Sequence, residues 1–265
     1  MELDENGNKI FGFPKFTDTS IRFIGKNNVL YFENNNIILE NCNIVFKGDN
    51  SVIFIRRNQN PIKLSIMIYS DSAVYIGRDM WTTSRLDLNA GEARNILIGD
   101  ECLFSSQCSA RTTDSHMIYS SINLERENTG KSIFIGDHVW IAARVALLKG
   151  SLIHSGSIIG SDTVIANKEI ISNTIWAGNP AKQIKDNIFF DKEGTHQLTN
   201  EQLNKFTNYD KAKAKKYIFK NDSTYISFNN IDDKLISSST SEERLSVLQS
   251  IMKYSKKNRF ALTTT

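Results

Sequence analysis

A chain of 265 residues, 40% hydrophobic and 23% charged, has the composition of an ordinary globular protein. Its N-terminus, MELDENGNKIFGF, lacks the basic start and apolar run of a signal peptide, and no stretch nears the ~18 apolar residues that span a bilayer, so a cytoplasmic protein is expected. The net charge of +3 comes from the end of the chain: residues 1–185 carry 19 acids and 19 bases, residues 186–265 carry 10 and 13, and neither part has the basic, aromatic-interleaved footprint of a nucleic-acid binder.

Residues 1–20 read as an N-terminal segment and residues 21–185 as one solenoid. In its first part Phe32, Phe54, Ile76 and Ile98 recur 22 residues apart, in the β-rich runs VLYF, VIFI, VYI and ILI. Each is expected to belong to one large coil. Asn-rich stretches such as ENNNIILENCN (33–43) suit polar corners, because asparagine tolerates left-handed backbone. Only Pro14, Pro61 and Pro180 interrupt the supply of backbone N–H donors that β-ladders need. Cys42, Cys102 and Cys108 are odd in number and lack metal-ligand spacing, so they read as reduced, buried thiols.

From Ile98 to Ile135 the spacing widens to 37 residues. The surplus must leave the coil, and the polar run 112–131 is the expected loop. TTDSHMIY (112–119) puts His116 on it or at its root.

From Ile135 the pattern tightens to a hexad. Ile135, Ile141, Leu147, Ile153, Ile159, Ile165 and Ile171 are all large aliphatics, and Val139, Val145, Ser151, Ser157 and Thr163 at the fifth position are small or β-branched. A helix repeats at 3.6 and a two-sided strand at 2, so neither explains six. Short strands joined by tight corners do: three sides close a triangular coil, and coils stack as a hexapeptide β-helix. The repeat stops at TIWAGNPAKQIK (174–185), where Pro180 cannot continue a ladder. In the C-terminal extension, 186–265, residues 199–217 are predicted as a helix. Thr240-Ser-Glu-Glu243 is predicted to open a second helix, with Leu245, Leu248, Ile251 and Met252 on one face.

The run IGDHVWIAARVALLKG…IIGSDTVI…WAGNPAKQI resembles the hexapeptide-repeat acyltransferase superfamily, and within it the bacterial capsule and lipopolysaccharide O-acetyltransferases, including those acting on polysialic acid. The resemblance is strong over about residues 96–185, weak over 20–95 and absent from the last 80. It implies a homotrimer of left-handed β-helices with acetyl-CoA in the groove between subunits. His116 is then the general base, and the acceptor is a sugar hydroxyl of a surface polysaccharide or oligosaccharide. It further implies that Trp140 lies by the acetyl group or acceptor, and that Gly178, Asn179, Pro180, Ala181 and Lys182 lie near the CoA tail. Ala142 stands where the family commonly has glycine, which narrows that corner. The long extension raises an association with a membrane polysaccharide-assembly complex as an alternative to a freely cytoplasmic enzyme.

The residues themselves suit this chemistry. Acetyl transfer to a hydroxyl needs a base, and a free imidazole titrates near neutrality. There is no G-x-S-x-G elbow, so direct transfer is favoured over an acyl-enzyme. Asp114, Ser115 and Tyr119 are candidate acceptor-side residues, with Asp114 also a candidate to orient the imidazole. The candidate CoA contacts are Trp140, Ala142, Gly160, Ala177, Gly178, Asn179, Pro180, Lys182 and Lys185. Trp81 and Trp176 read as packing. A three-histidine zinc site from His116, His138 and His154 is disfavoured, because the last two are 16 rather than 18 residues apart; no metal is expected. Two alternatives stay open: transfer to a small acceptor (a free sugar, a nucleotide sugar or serine), and a non-catalytic glycan-binding trimer.

Overall fold

The structure, a computed structural model, describes residues 2–263. The chain winds into a left-handed parallel β-helix of triangular cross-section, with a C-terminal extension folded along its side. The first face is a nine-stranded sheet that runs from Glu2–Leu3 through Val29–Phe32, Val52–Ile55, Ala73–Ile76, Ile96–Ile98 and Ile133–Ile135 to Glu169–Ile170. The second is six-stranded and includes Trp81–Thr82, Leu103–Phe104, Trp140–Ile141, Ile158–Ile159 and Ile175–Ala177; the third is seven-stranded. Lys9–Phe11 pairs in parallel with Val29–Tyr31, so the first coil opens inside the segment expected to precede the solenoid. Met1 lies outside the described residues.

The hexad works as the pattern requires. Ile135, Ile141, Leu147, Ile153, Ile159 and Ile165 are at most 2% exposed and stack into one apolar column. Burying each contributes about 1.5–3 kcal/mol. The buried fifth-position hydroxyls fasten the corners: Ser151 Oγ donates to Leu148 O and Ile165 O, and Ser157 Oγ to His154 O and Ile171 O. Corner asparagines Asn27, Asn41, Asn50, Asn167 and Asn173 adopt positive φ, as the sequence suggested. All three cysteines are free and buried.

Two register expectations are corrected. The coil after Leu152 is one residue shorter, with Leu152 paired to Glu169, so Ile170 rather than Ile171 points inward. Upstream, Phe32 pairs with Ile55 and Ile55 with Ile76, making the steps 23 and 21 rather than a uniform 22. A slip of one residue moves a side chain to the other side of a sheet. Ile55 therefore joins the inner column, while Phe54 points outward between Tyr31 and Tyr75.

The extension packs along the first face, not on the solenoid's end. The predicted helix over 199–217 is instead two single turns, α1 (Asn200–Leu203) and α2 (Lys211–Ala214), joined through a 3-10 turn. Neither buries a side chain, and Asp210 caps a fresh start by accepting from the Ala212 and Lys213 amides. A helix not foreseen, α3 (Phe228–Ser237), buries Phe228, Ile231 and Leu235. The foreseen one, α4 (Ser241–Lys253), buries Leu245, Leu248 and Ile251, with Thr240 Oγ1 accepting from Glu243 N. Both cover Val29, Val52, Phe54, Tyr75, Leu97 and Phe134. Arg259, 1% exposed, pins the end of the extension: it bonds Asp137 at 2.7 and 2.8 Å and reaches Asp100 at 3.1 Å.

Candidate active site

The expected loop is present. It leaves after Ser109–Arg111 on the third face and re-enters at Ile133 on the first, so it stands on the corner between them. It is a hairpin: Glu127 N donates to Ile118 O, Ser120 N to Glu125 O, and Tyr119 bridges Arg126. Glu92, on the corner below, ties its base. The Glu92 carboxylate accepts from Thr113 Oγ1 (2.7 Å), Arg126 Nη2 (2.6 Å) and Gly130 N (2.8 Å). Burial pushes Glu92 up, but these three donors hold it below the ordinary carboxylate range. Asn128, 6% exposed, braces the interior through Asp114, His116 O and Ile118 N.

His116 projects from this hairpin with an exposed side chain. His138 and His154 are 3% and 0% exposed and are taken up by the extension. The His138 ring stacks between Phe190 (4.0 Å, 4°) and Tyr217 (4.6 Å, 21°), and its Nε2–H donates to Phe190 O. Burial pushes its pKa down to about 4. Its Nδ1 has no protein partner and the residue lines a cavity of about 280 Å³ at the seam with the extension. That cavity lies beside His138, not His116. The nitrogens of His154 face Glu169 Oε1 and Phe260 O. Among the described residues, no group of three side chains is placed to hold a metal.

Asp114 does not reach the imidazole. Its Oδ2 accepts from Lys149 Nζ at 2.5 Å and Asn128 Nδ2 at 3.0 Å, and these bonds, Lys149 first, hold its carboxyl below the usual range. Its role is to anchor the loop to the next coil. Ser115 takes the positive φ that turns the chain at His116. Tyr119 is 55% exposed and donates only to Met117 Sδ. Met117, Ile118, Ile122 and Leu124 are also exposed, Ile122 at 94%.

The other candidates lie on the second face. Trp140 is 38% exposed and points outward beside Phe190. Ala142, Gly160 and Ala177 stack along the corner between the second and third faces, linked by Ala142 N to Ile159 O and Gly160 N to Trp176 O. A Cβ on Gly160 would stand 2.9 Å from that of Ala177, so only glycine allows this approach. Gly178, at φ 101, starts the crossover through Asn179 and Pro180. Lys182–Lys185 then returns antiparallel to Ile175–Ala177, both lysines exposed.

One chain therefore keeps the two groups of candidates apart. The His116 loop stands on the third–first corner, and Trp140 and the small-residue corner lie across the triangle. The loop's anchors, Glu92 and Lys149, belong to its own corner, so it does not fold over the second face of its own chain. The sequence reading missed Glu92, Asn128 and Phe190, which act through long-range contacts. It also missed Lys168, which donates to Ala181 O and sits 5.1 Å over the Trp176 ring.

No family model matches the chain. It is 38% identical over 190 residues, 71% of its length and 87% of the relative's, to the polysialic acid O-acetyltransferase of Neisseria meningitidis. To the polysialic acid O-acetyltransferase of Escherichia coli O1:K1 / APEC it is 32% identical over 154 residues, 56% of this chain and 48% of that one. Among solved structures, the polySia-specific acetyltransferase NeuO superposes with a TM-score of 0.63 at 27% identity, covering 77% of this chain and 96% of that one. The polysialic acid O-acetyltransferase OatWY superposes at 0.51 and 29% identity, covering 75% and 99%.

Proposed function

The chain belongs to the hexapeptide-repeat O-acetyltransferase family that contains the polysialic acid O-acetyltransferases, and on that premise we propose that it transfers acetyl from acetyl-CoA to a sugar hydroxyl of a bacterial surface polysaccharide. The observation that carries this reading is the hairpin that exposes His116, while the solenoid's other histidines are buried under the extension. His116 takes the proton of the acceptor hydroxyl as its oxygen attacks the thioester carbonyl carbon. The tetrahedral oxyanion collapses, the C–S bond breaks, and the imidazolium returns the proton to the departing thiolate. The products are the O-acetyl ester and free CoA. A positioned base of this kind contributes about 10²–10⁴-fold.

The second face suits the donor. Ala142, Gly160 and Ala177 leave a corner without bulk for the pantetheine arm, and Lys182 and Lys185 at its upper end supply positive charge for the phosphates. The family resemblance implies a ring of three copies, and the separation of the His116 loop from Trp140 fits one in which each copy lends its loop to the next, a head-to-tail contact whose rotation closes. The exposed apolar side chains of the loop fit the same arrangement. Nothing in this mechanism calls for a metal.

The test is incubation with acetyl-CoA and a panel of capsular polysaccharides and their oligosaccharides, followed by NMR location of the acetyl group. One ester on a sugar hydroxyl per CoA released is expected. Transfer only to free sugars, nucleotide sugars or serine would replace the polymer acceptor with a small one. Glycan binding without acetyl-CoA consumption would replace the enzyme with a binding trimer.

A further inference from the structure

The cavity of about 280 Å³ beside His138 serves no step of the proposed reaction. It opens where the corner between the first and second faces meets the extension. Arg78, Asp100, Glu101, Asp137 and His138 form its solenoid wall, and the chain that follows α4 closes it with Lys256, Lys257 and Arg259. Its volume stands just under the roughly 300 Å³ at which small-molecule sites begin. That is room for one sugar-sized molecule and not for a nucleotide chain such as CoA.

The charges around it are sorted. Each carboxylate already has its cations. Asp137 holds Arg259 at 2.7 Å. Asp100 holds Arg56 at 3.2 Å, Arg78 at 3.0 Å and Arg259 at 3.1 Å, and Glu101 faces Lys192 at 3.3 Å and Lys216 at 3.8 Å. Both arginines of the wall are therefore tied. Lys256 and Lys257 are left over, because neither makes an ion pair among the described residues. Lys257 Nζ donates to Lys215 O and Ile218 O, which fixes the ammonium and leaves one of its three N–H groups. Burial and then Lys220 outweigh Asp222 and push that ammonium below the usual lysine range, a cost that an anion beside it would relieve.

The rest of the lining suits an organic group. Tyr217 and Phe219 belong to it, with Lys216 5.2 Å over the first ring and Lys257 5.5 Å over the second. Aromatic rings give a sugar an apolar face to lie on. His138 adds an unfilled acceptor: Nε2–H already donates to Phe190 O, and the buried Nδ1 has no protein partner. A fork of guanidinium donors matches a carboxylate, whereas lysine meets phosphate as a point charge. With the arginines tied and the lysines left over, the chemistry is that of a phosphate.

We infer that this cavity binds a hydroxylated phosphate monoester of about one sugar's size, with its phosphate at Lys256 and Lys257, its ring against Tyr217 and Phe219 and a hydroxyl toward His138. The site is distinct from the acetyl-transfer centre and does not depend on that reading. A bound ester bridges solenoid and extension. It lies against His138, whose stacked neighbour Phe190 is 5.9 Å from the Trp140 ring.

The test is calorimetric titration of the full chain with a panel of hexose phosphates, their parent hexoses and inorganic phosphate, with CoA saturating so that phosphate binding in the donor groove stays out of the signal. A hexose phosphate should bind once per chain, at least tenfold tighter than inorganic phosphate and than its parent hexose. Lys256→Glu should weaken it at least tenfold and Lys256→Ala several-fold. Lys256 is exposed, so the Tm of either variant without ligand should match the wild type. The inference is overturned if no ester of the panel binds, if inorganic phosphate binds as tightly as every ester, or if both Lys256 variants keep wild-type affinity.

Discussion

The first and second faces of the solenoid share one winding and one inward column, yet their outer surfaces have opposite fates. On the first, Phe54, Tyr75, Leu97 and Phe134 point outward and are sealed beneath α3 and α4. On the second, Trp81 and Trp140 point outward and stay exposed. The inward positions make the coil, and the outward positions decide what it can touch. A covered face is support; a bare apolar face beside charge is where a ligand or another copy belongs.

The contrast breaks most sharply at the pin of the cover. Arg259→Ala leaves Asp137 buried without its two-pronged partner and should destabilise docking of the extension by about 3–5 kcal/mol. Chemical denaturation followed by far-UV circular dichroism checks it, and a shift below 1 kcal/mol would mean that the apolar contacts alone hold the cover.

Acid attacks the same seam. His138 is held neutral, with its pKa pushed down to about 4, whereas in the unfolded chain it titrates near 6.5. Its contribution is complete above pH 6.5 and is lost as pH falls towards 4, about 3 kcal/mol in all. The Tm measured between pH 7 and 4 should drop more steeply for the wild type than for His138→Phe, which keeps the stack and removes the proton site.

The smallest expected effect falls on the loop. Glu92→Ala removes three bonds at a partly exposed site, worth about 1 kcal/mol after solvent screening. The expected signs are faster hydrogen exchange over 112–131 and a several-fold lower kcat, with acetyl-CoA affinity unchanged. Unchanged kcat with a loosened loop would show that the base needs no fixed loop.

The hexad made the inner column legible, because six successive aliphatics share one environment. Ile171 was taken for Ile170, and the uniform 22-residue step missed Ile55, because coil length varies by a residue and composition does not mark where a corner gains or loses one. The loop was legible from its surplus length, and His116 from its motif. The anchor Glu92 carried no local signal, since its partners Arg126 and Gly130 lie 34 and 38 residues away. Docking of the extension was hidden for the same reason: the Asp137–Arg259 pair spans 122 residues. The covered face reads as strand whether or not anything lies on it.

The central claim, that the exposed loop rather than the buried histidines supplies the base, is tested most directly by the acetyl-transfer rate of His116→Ala at saturating acetyl-CoA and polysaccharide. A fall of about 10²–10⁴-fold with acetyl-CoA affinity unchanged is predicted. Wild-type turnover by a His116→Ala protein that still binds acetyl-CoA would contradict it.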